Sequence, residues 1–143
     1  MHIIKRSDLL AISTQIQTPG FEKRQVDRLI WLTFRSRYDD LGHVSDAGYL
    51  IFPDEDTIPN IMRSFEDACT FSSFVLDSWR SHLRLEEYFD FDEEGNLWRA
   101  EIVDREGKVY GRATGAAPVA VVLATLKALC DHDDLGSHIE MVQ

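Results

Sequence analysis

Apolar side chains recur at helical spacing in three stretches of the chain. In residues 21–37, Val26 and Ile30 share one face at the i, i+4 spacing of an amphipathic helix. Residues 65–79 show the same period, and residues 118–130 are apolar nearly all round. A helix of the last kind has no face suited to water, so we expect it to lie pressed against a sheet. The pattern predicts a helix in each of the three stretches.

From residue 83 onward the apolar period changes to two, which indicates β-strands. Leu83 and Leu85 alternate with polar residues, and turn residues follow at 93–96 and 105–107. The polar side of the strands carries Arg84, Glu86, Arg99 and Glu101. Ion pairs across the strands are expected there. We predict an α+β fold, in which a three-stranded antiparallel meander over about 83–114 packs against the helices.

Asp67, an acid two residues before Cys69, lies in the first turn of the second predicted helix. Ser64 followed by Asp67 fits a capping box, in which the serine accepts from the N–H three residues on and the acid reaches back. Asp67 also lies near Cys69 and downstream of the acidic residues 54–56, which raises the question of an active site. Because capping explains Asp67 with no further assumption, we interpret this residue as structural.

Three further segments of the 143-residue chain lie before, between and after the predicted helices and strands. Residues 1–20 predict a short helix and a turn, with Ser7 as the cap and a Pro-Gly pair at the end. Residues 38–57 have the composition of a long loop, and residues 131–143 that of a polar tail. We expect a single domain over residues 1–143, because a chain of this length buries one core.

The cellular location is predicted from the lack of a membrane-spanning stretch and of a secretory signal in the sequence. No stretch reaches the roughly 18 to 20 apolar residues of a membrane span, and the N-terminus does not have the pattern of a secretory signal. Cys69 and Cys130 lie in apolar helical surroundings, where a thiol usually behaves as a small hydrophobic group. We therefore expect a cytoplasmic protein with two free thiols and no cofactor.

The net charge of −10 is divided unevenly along the chain. Residues 1–37 carry seven Lys or Arg against three acids, whereas residues 38–143 carry eight against twenty-two. The acidic part would repel phosphate, so direct DNA binding is not expected. Two acidic clusters are the candidate partner-binding residues. The first cluster is Asp90, Asp92, Glu93 and Glu94, and the second is Asp54, Glu55 and Asp56.

Five short segments, which together extend over about residues 21–130, follow one another in a characteristic order. They are Val26 to Ile30, Ile58-Pro59, Ser64 to Ala68, Ala113 to Pro118, and Leu126 to Leu129. This order resembles the phage ABA-sandwich domain, a family of small phage and prophage proteins, most of which have no assigned function. The chain departs from the family pattern at 38–57 and 71–82. The resemblance implies a layered helix-and-sheet fold and a phage or prophage origin, and it implies no catalytic residues.

The sequence supports a catalytic function less well than it supports partner binding. The candidates for a small metal-dependent hydrolase are His43, Asp46, His82 and His132. Nothing in the sequence brings His43, Asp46 and His82 together, and the His-x5-His spacing of His132 and His138 is not the i, i+4 arrangement that places two metal ligands on one helix face. The stripe of Arg24, Arg28 and Arg35 with Trp31 is interpreted as a solvated helix face.

The leading hypothesis is a non-enzymatic interaction protein of phage or prophage origin. Its acidic clusters would mimic DNA phosphates and inhibit a host nucleic-acid-binding or defence protein by occupying a basic groove. The alternatives are the small metal-dependent hydrolase and a structural homo-oligomer, since a three-stranded sheet has open edges. The protein is expected to be a monomer or a homodimer that does not enter a membrane.

Overall fold

The computed structural model of the protein describes residues 2–40, 58–88 and 97–143. Its elements in chain order are β1 (His2–Lys5), α1 (Arg6–Ile16), α2 (Lys23–Thr33), α3 (Arg35–Asp40), α4 (Phe65–Val75), β2 (His82–Tyr88), β3 (Leu97–Val103), β4 (Val109–Gly115), α5 (Ala117–Asp131), a short 3-10 turn (Asp133–Leu135) and β5 (Ile139–Val142). Strands β2, β3 and β4 form an antiparallel sheet in that order, and β1 pairs in parallel with β5.

The three-stranded sheet confirms the predicted α+β fold. Its register places Leu85 beside Ala100 and Ala113 on one face, where the two alanines are buried against α5. The period of two had therefore identified the inner face of the sheet. The predicted turn over 93–96 lies outside the described residues. The turn at 105–107 is confirmed, and its glycine has a φ of 86°.

The predicted helix over 21–37 is two helices in the structure. The backbone breaks at Phe34 (φ −104°, ψ 19°), and α3 follows. Phe34 is buried edge-on against Phe71 of α4, with ring centroids 5.0 Å apart. Residues 38–40 of the predicted loop belong to α3, and residues 41–57 lie outside the described residues.

For the other two helices, we compare the predicted ends with those of α4 and α5 in the structure. The helix over 65–79 ends early, because Leu76 is extended (φ −97°, ψ 144°) and forms a bridge with Gly136. Helix α5 agrees with the predicted 118–130 to within one residue at each end. The bridge ties the chain after α4 to the chain after α5, which is a contact that no local pattern indicates.

Both ends of the chain differ from the predicted structure. Helix α1 begins directly after β1, and Lys5 rather than Ser7 occupies its N-cap position. Residues 139–142 of the predicted polar tail form β5, which pairs with β1. Ile4 and Ile139 are buried at this pair. Because each strand has only four residues, neither shows a period that the sequence pattern could reveal.

Helix α5 lies at the centre of the fold. Ten of its fifteen residues are buried, and it contacts β3, β4, α4 and α1. A Cβ atom added at Gly111 of β4 would lie 2.3 Å from the carbonyl oxygen of Ala124 and 2.8 Å from the amide nitrogen of Ala128. Both of these atoms belong to the helix backbone, so only glycine allows α5 to approach the strand this closely.

A buried carboxylate joins α2 to the residues before α4. Asp27 is fully buried, and its Oδ1 accepts a hydrogen bond from the backbone N–H of Met62 at 2.8 Å. Arg24 donates to Asp27 Oδ2 at 3.3 Å and to the carbonyl oxygen of Pro59 at 3.2 Å. Burial raises the pKa of Asp27, and the hydrogen bonds from Met62 and Arg24 offset only part of this rise. The carboxylate thus holds two segments that are distant in sequence.

We predict that Gly111→Ala lowers the free energy of unfolding by at least about 2 kcal/mol, because the added methyl group meets helix backbone that cannot move aside. Gly20→Ala is the matched control. Gly20 has a φ of 74° but nothing within 4 Å of the added Cβ, so only backbone strain of about 1 kcal/mol is expected. Urea unfolding measures both values. An equal or smaller loss for Gly111→Ala would contradict the close approach of α5 to β4.

Candidate functional site

The acidic residues predicted to bind a partner cannot be placed. Asp90, Asp92, Glu93 and Glu94 belong to the chain between β2 and β3, and they lie outside the described residues. The same holds for Asp54, Glu55 and Asp56, and for two candidates of the hydrolase hypothesis, His43 and Asp46. Both clusters therefore remain predictions from the sequence.

The two described histidines of the hydrolase hypothesis lie in different parts of the fold. His82 begins β2, whereas His132 follows α5 and packs edge-on against Tyr110, with ring centroids 4.8 Å apart. Within residues 2–40, 58–88 and 97–143, no three His, Cys, Asp or Glu side chains form a group that could hold a metal ion. Burial raises the pKa of the thiols of Cys69 and Cys130, which favours the protonated form over the nucleophilic thiolate.

The structure supports a capping role for Asp67. The hydroxyl of Ser64 accepts a hydrogen bond from the backbone N–H of Asp67 at 3.1 Å, as the capping box requires. The carboxylate of Asp67 accepts from the N–H of Asn60 at 2.9 Å instead of reaching back to Ser64. Both hydrogen bonds secure the start of α4 and the turn before it.

The basic stripe, which extends over α2 and the start of α3, is not the solvated face that was predicted. Trp31 is buried in the core, with the guanidinium of Arg35 over its ring at 5.2 Å. Arg24 is bound to Asp27, as described above. The prediction was wrong for Trp31 and Arg24, because helical spacing does not show which other segments will cover a face.

Charged side chains from three strands converge on the sheet face that is opposite α5. Arg84 of β2, Glu101 of β3 and Arg112 of β4 form one cross-strand row. The neighbouring row places Glu86 beside Arg99. We call these five residues the ionic face. The sequence pattern had assigned four of them to the polar side of the strands and had overlooked Arg112, which the period of two places on the same side of β4.

Glu101 is the centre of the ionic face. Its Oε1 accepts from Arg84 Nη2 at 3.0 Å, and its Oε2 accepts from Arg112 Nε at 2.8 Å. Arg99 Nε lies 3.9 Å from Oε1. Burial alone would raise the pKa of Glu101, but the hydrogen bonds and charges of Arg112 and Arg84 outweigh it and hold this pKa below its ordinary value. The carboxylate is therefore an anion that three guanidinium groups share.

The arginines cover the glutamate and remain accessible themselves. The side chain of Glu101 is 2% exposed, whereas those of Arg84, Arg99 and Arg112 are 44%, 36% and 56% exposed. Arg99 also pairs with Glu86, so three positive charges stand against two negative ones. A guanidinium group has five N–H donors and can bind carboxylates in a bidentate geometry. The ionic face therefore presents oriented N–H donors at the protein surface.

Comparisons of this chain with protein-family models, with curated proteins and with solved structures found no match. The resemblance to the phage ABA-sandwich domain thus stays a prediction from the sequence. In the part of the chain that the structure describes, no helix has both the length and the apolar character to cross a membrane.

We predict that Glu101→Gln lowers the free energy of unfolding by about 1–3 kcal/mol at pH 7, because three arginines lose their shared anion. Glu86→Gln is the control, and its exposed pair with Arg99 is expected to contribute less than about 1 kcal/mol. Urea unfolding with circular dichroism measures both variants.

The stabilisation by Glu101 should also depend on pH. Its pKa is lowered in the folded protein, so the stabilisation is complete above the ordinary value of 4.5 and is lost as the pH falls through the folded pKa. Between pH 7 and about pH 3, Glu101→Gln should therefore lose less stability than the wild type. Equal acid sensitivity of the two proteins would show that Glu101 is not the stabilising anion.

Proposed function

We propose that this chain is a non-enzymatic binding protein, which contacts a partner protein through the ionic face and the acidic segment between β2 and β3. The observation that supports this most strongly is Glu101, a carboxylate buried beneath three partly exposed arginines. Such an arrangement holds the arginines in place before any partner arrives.

Fixed arginines suit binding for an entropic reason. A long side chain that is ordered only on binding costs about 0.5–1.5 kcal/mol of affinity. On the ionic face, Arg84 and Arg112 lie on either side of Glu101, and each is already held by a hydrogen bond to its carboxylate. Most of this ordering cost is thus met during folding. The donors that do not contact Glu101 can bind a carboxylate of the partner.

The mixture of charges favours a protein partner over a nucleic acid. The ionic face has one net positive charge, whereas the segment of residues 89–96, which follows β2, carries four acids and no Lys or Arg. The charged groups of a nucleic acid are its phosphates, which the arginines would attract and the four acids would repel. A protein surface can carry both signs and so match both regions.

The resemblance to phage proteins supports a more specific form of the proposal. The partner would be a host protein in the cytoplasm with a basic groove, such as a nucleic-acid-binding or defence protein. The cluster of Asp90, Asp92, Glu93 and Glu94 would enter that groove, with Asp54, Glu55 and Asp56 as a second contact. Binding of this kind would inhibit the host protein, because it competes with nucleic acid for the groove.

We predict that the tagged protein captures one stoichiometric partner from a bacterial host lysate, and that the captured amount falls as salt is added, because charges contribute to the contact. Two variants test which residues bind. The first neutralises the acidic cluster (Asp90→Asn, Asp92→Asn, Glu93→Gln, Glu94→Gln), and the second combines Arg84→Gln with Arg112→Gln. Each should reduce capture by at least about tenfold, as expected for residues at the centre of an interface. Mass spectrometry quantifies the partner.

The matched control neutralises four exposed acids elsewhere, namely Asp8, Glu66, Glu106 and Glu140. It changes the net charge by the same amount as the first variant and should capture the partner as the wild type does. Circular dichroism confirms that each variant is folded. Undiminished capture by both test variants would overturn the proposal. A mass that rises with protein concentration, without a captured partner, would support the homo-oligomer instead.

A further inference from the structure

A recess opens between the second half of α4 and the start of β2. Its volume is about 130 Å³, and its walls include Cys69 and Ser72 of α4, Leu76 directly after that helix, and Ser81 and Leu83 near the start of β2. We propose that this recess binds a small uncharged molecule, with an apolar body about the size of a benzene ring and one hydroxyl group. This site is independent of the proposed partner contact.

The walls of the recess are mainly apolar, although several of them are serines. The hydroxyl of Ser72 accepts a hydrogen bond from Thr125 Oγ1 at 2.8 Å, and the hydroxyl of Ser73 donates to the carbonyl oxygen of Thr70 at 2.9 Å. These two hydroxyls are therefore bonded within the protein. The remaining lining is largely apolar and includes Leu76, Leu83 and Cys69, together with Ser78 and His82.

The lining also decides the charge of the ligand. All residues that line the recess are described; none of them is Lys, Arg, Asp or Glu, and His82 is the one imidazole among them. An ion placed there would lose its hydration without gaining a carboxylate, ammonium or guanidinium counter-charge, which is strongly unfavourable. The ligand class is therefore uncharged.

The volume sets the size of the ligand. Engineered apolar cavities of about 150 Å³ remain dry and bind benzene, so a recess of about 130 Å³ accepts a single six-membered ring. A larger aromatic system would extend out of the recess into solvent or require the walls to move, and close-packed interiors resist such movement.

Ser81 explains why the ligand should carry a hydroxyl group. The residue is only 3% exposed, and among the described residues its Oγ has no hydrogen-bond partner. A buried hydroxyl without a partner is unfavourable, and a ligand hydroxyl can relieve this. Less than 1 Å² of the Ser81 oxygen is accessible, so it is covered in the structure. Rotation about χ1 moves a serine hydroxyl between three staggered positions and would turn it toward a bound molecule. Phenol combines the required ring and hydroxyl.

The test uses Cys69 as the reporter in the variant Cys130→Ala, which leaves one thiol. The rate of alkylation by iodoacetamide is measured against increasing phenol, and against toluene, which has the same shape without the hydroxyl. We expect saturable protection by both, with tighter binding of phenol. Phenyl phosphate, which is charged, should not protect. Alkylation that is unchanged by phenol and toluene would overturn the proposal.

Ser81→Ala in the same background tests the hydroxyl. The affinity for phenol should fall about 2- to 10-fold, as for the loss of one neutral hydrogen bond, while the affinity for toluene stays the same. An unchanged preference for phenol would overturn the role of Ser81.

A second readout avoids dependence on the thiol: phenol should raise the melting temperature of the wild type, but not that of Cys69→Leu, whose side chain fills the recess. A melting temperature that phenol raises equally in both proteins would place binding elsewhere and overturn the site.

Discussion

The fold depends on the close approach of α5 to β4 at Gly111. At this position the helix backbone lies where any side chain of the strand would be, so helix and sheet are closer than ordinary side chains permit. The alanines on the facing surfaces, Ala113 on the sheet and Ala124 on the helix, are consistent with this short distance because both are small and buried. Helices α1 and α4 then pack against α5, which has ten buried residues and supplies much of the core.

This arrangement covers one face of the sheet and leaves the charged residues on the other. A three-stranded sheet with a single apolar face must satisfy the polar side chains of its second face locally. Glu101 shows how this is achieved, because the strands on both sides supply an arginine to its carboxylate. The same contacts that make a buried anion tolerable also hold the arginines in fixed positions. Stability and recognition therefore rest on the same side chains in our proposal.

The candidate site was only partly visible in the sequence. The period of two places Arg84, Arg99 and Glu101 on the polar side of their strands, so the ionic character of this face was predictable. The burial of Glu101 was not, because it follows from the register of three strands, and register depends on contacts between distant residues. The recess beside α4 had no signal at all. Its walls come from segments whose approach depends on where α4 ends, and periodicity placed that end four residues too late at 79 instead of Val75.

The sequence by itself determined the type of each long element and, for the strands of the sheet, which face is apolar. Helix α5 and the three strands of the sheet follow from local periods, which act over a few residues, and the cap at Ser64 follows from a local hydrogen bond. Tertiary structure decided the break at Phe34, the pairing of β1 with β5, and the burial of Asp27. Each of these depends on a contact between residues far apart in the chain, such as Asp27 with Met62 or Ile4 with Met141. A local pattern cannot indicate such contacts, because their free energy arises only when the whole core is assembled.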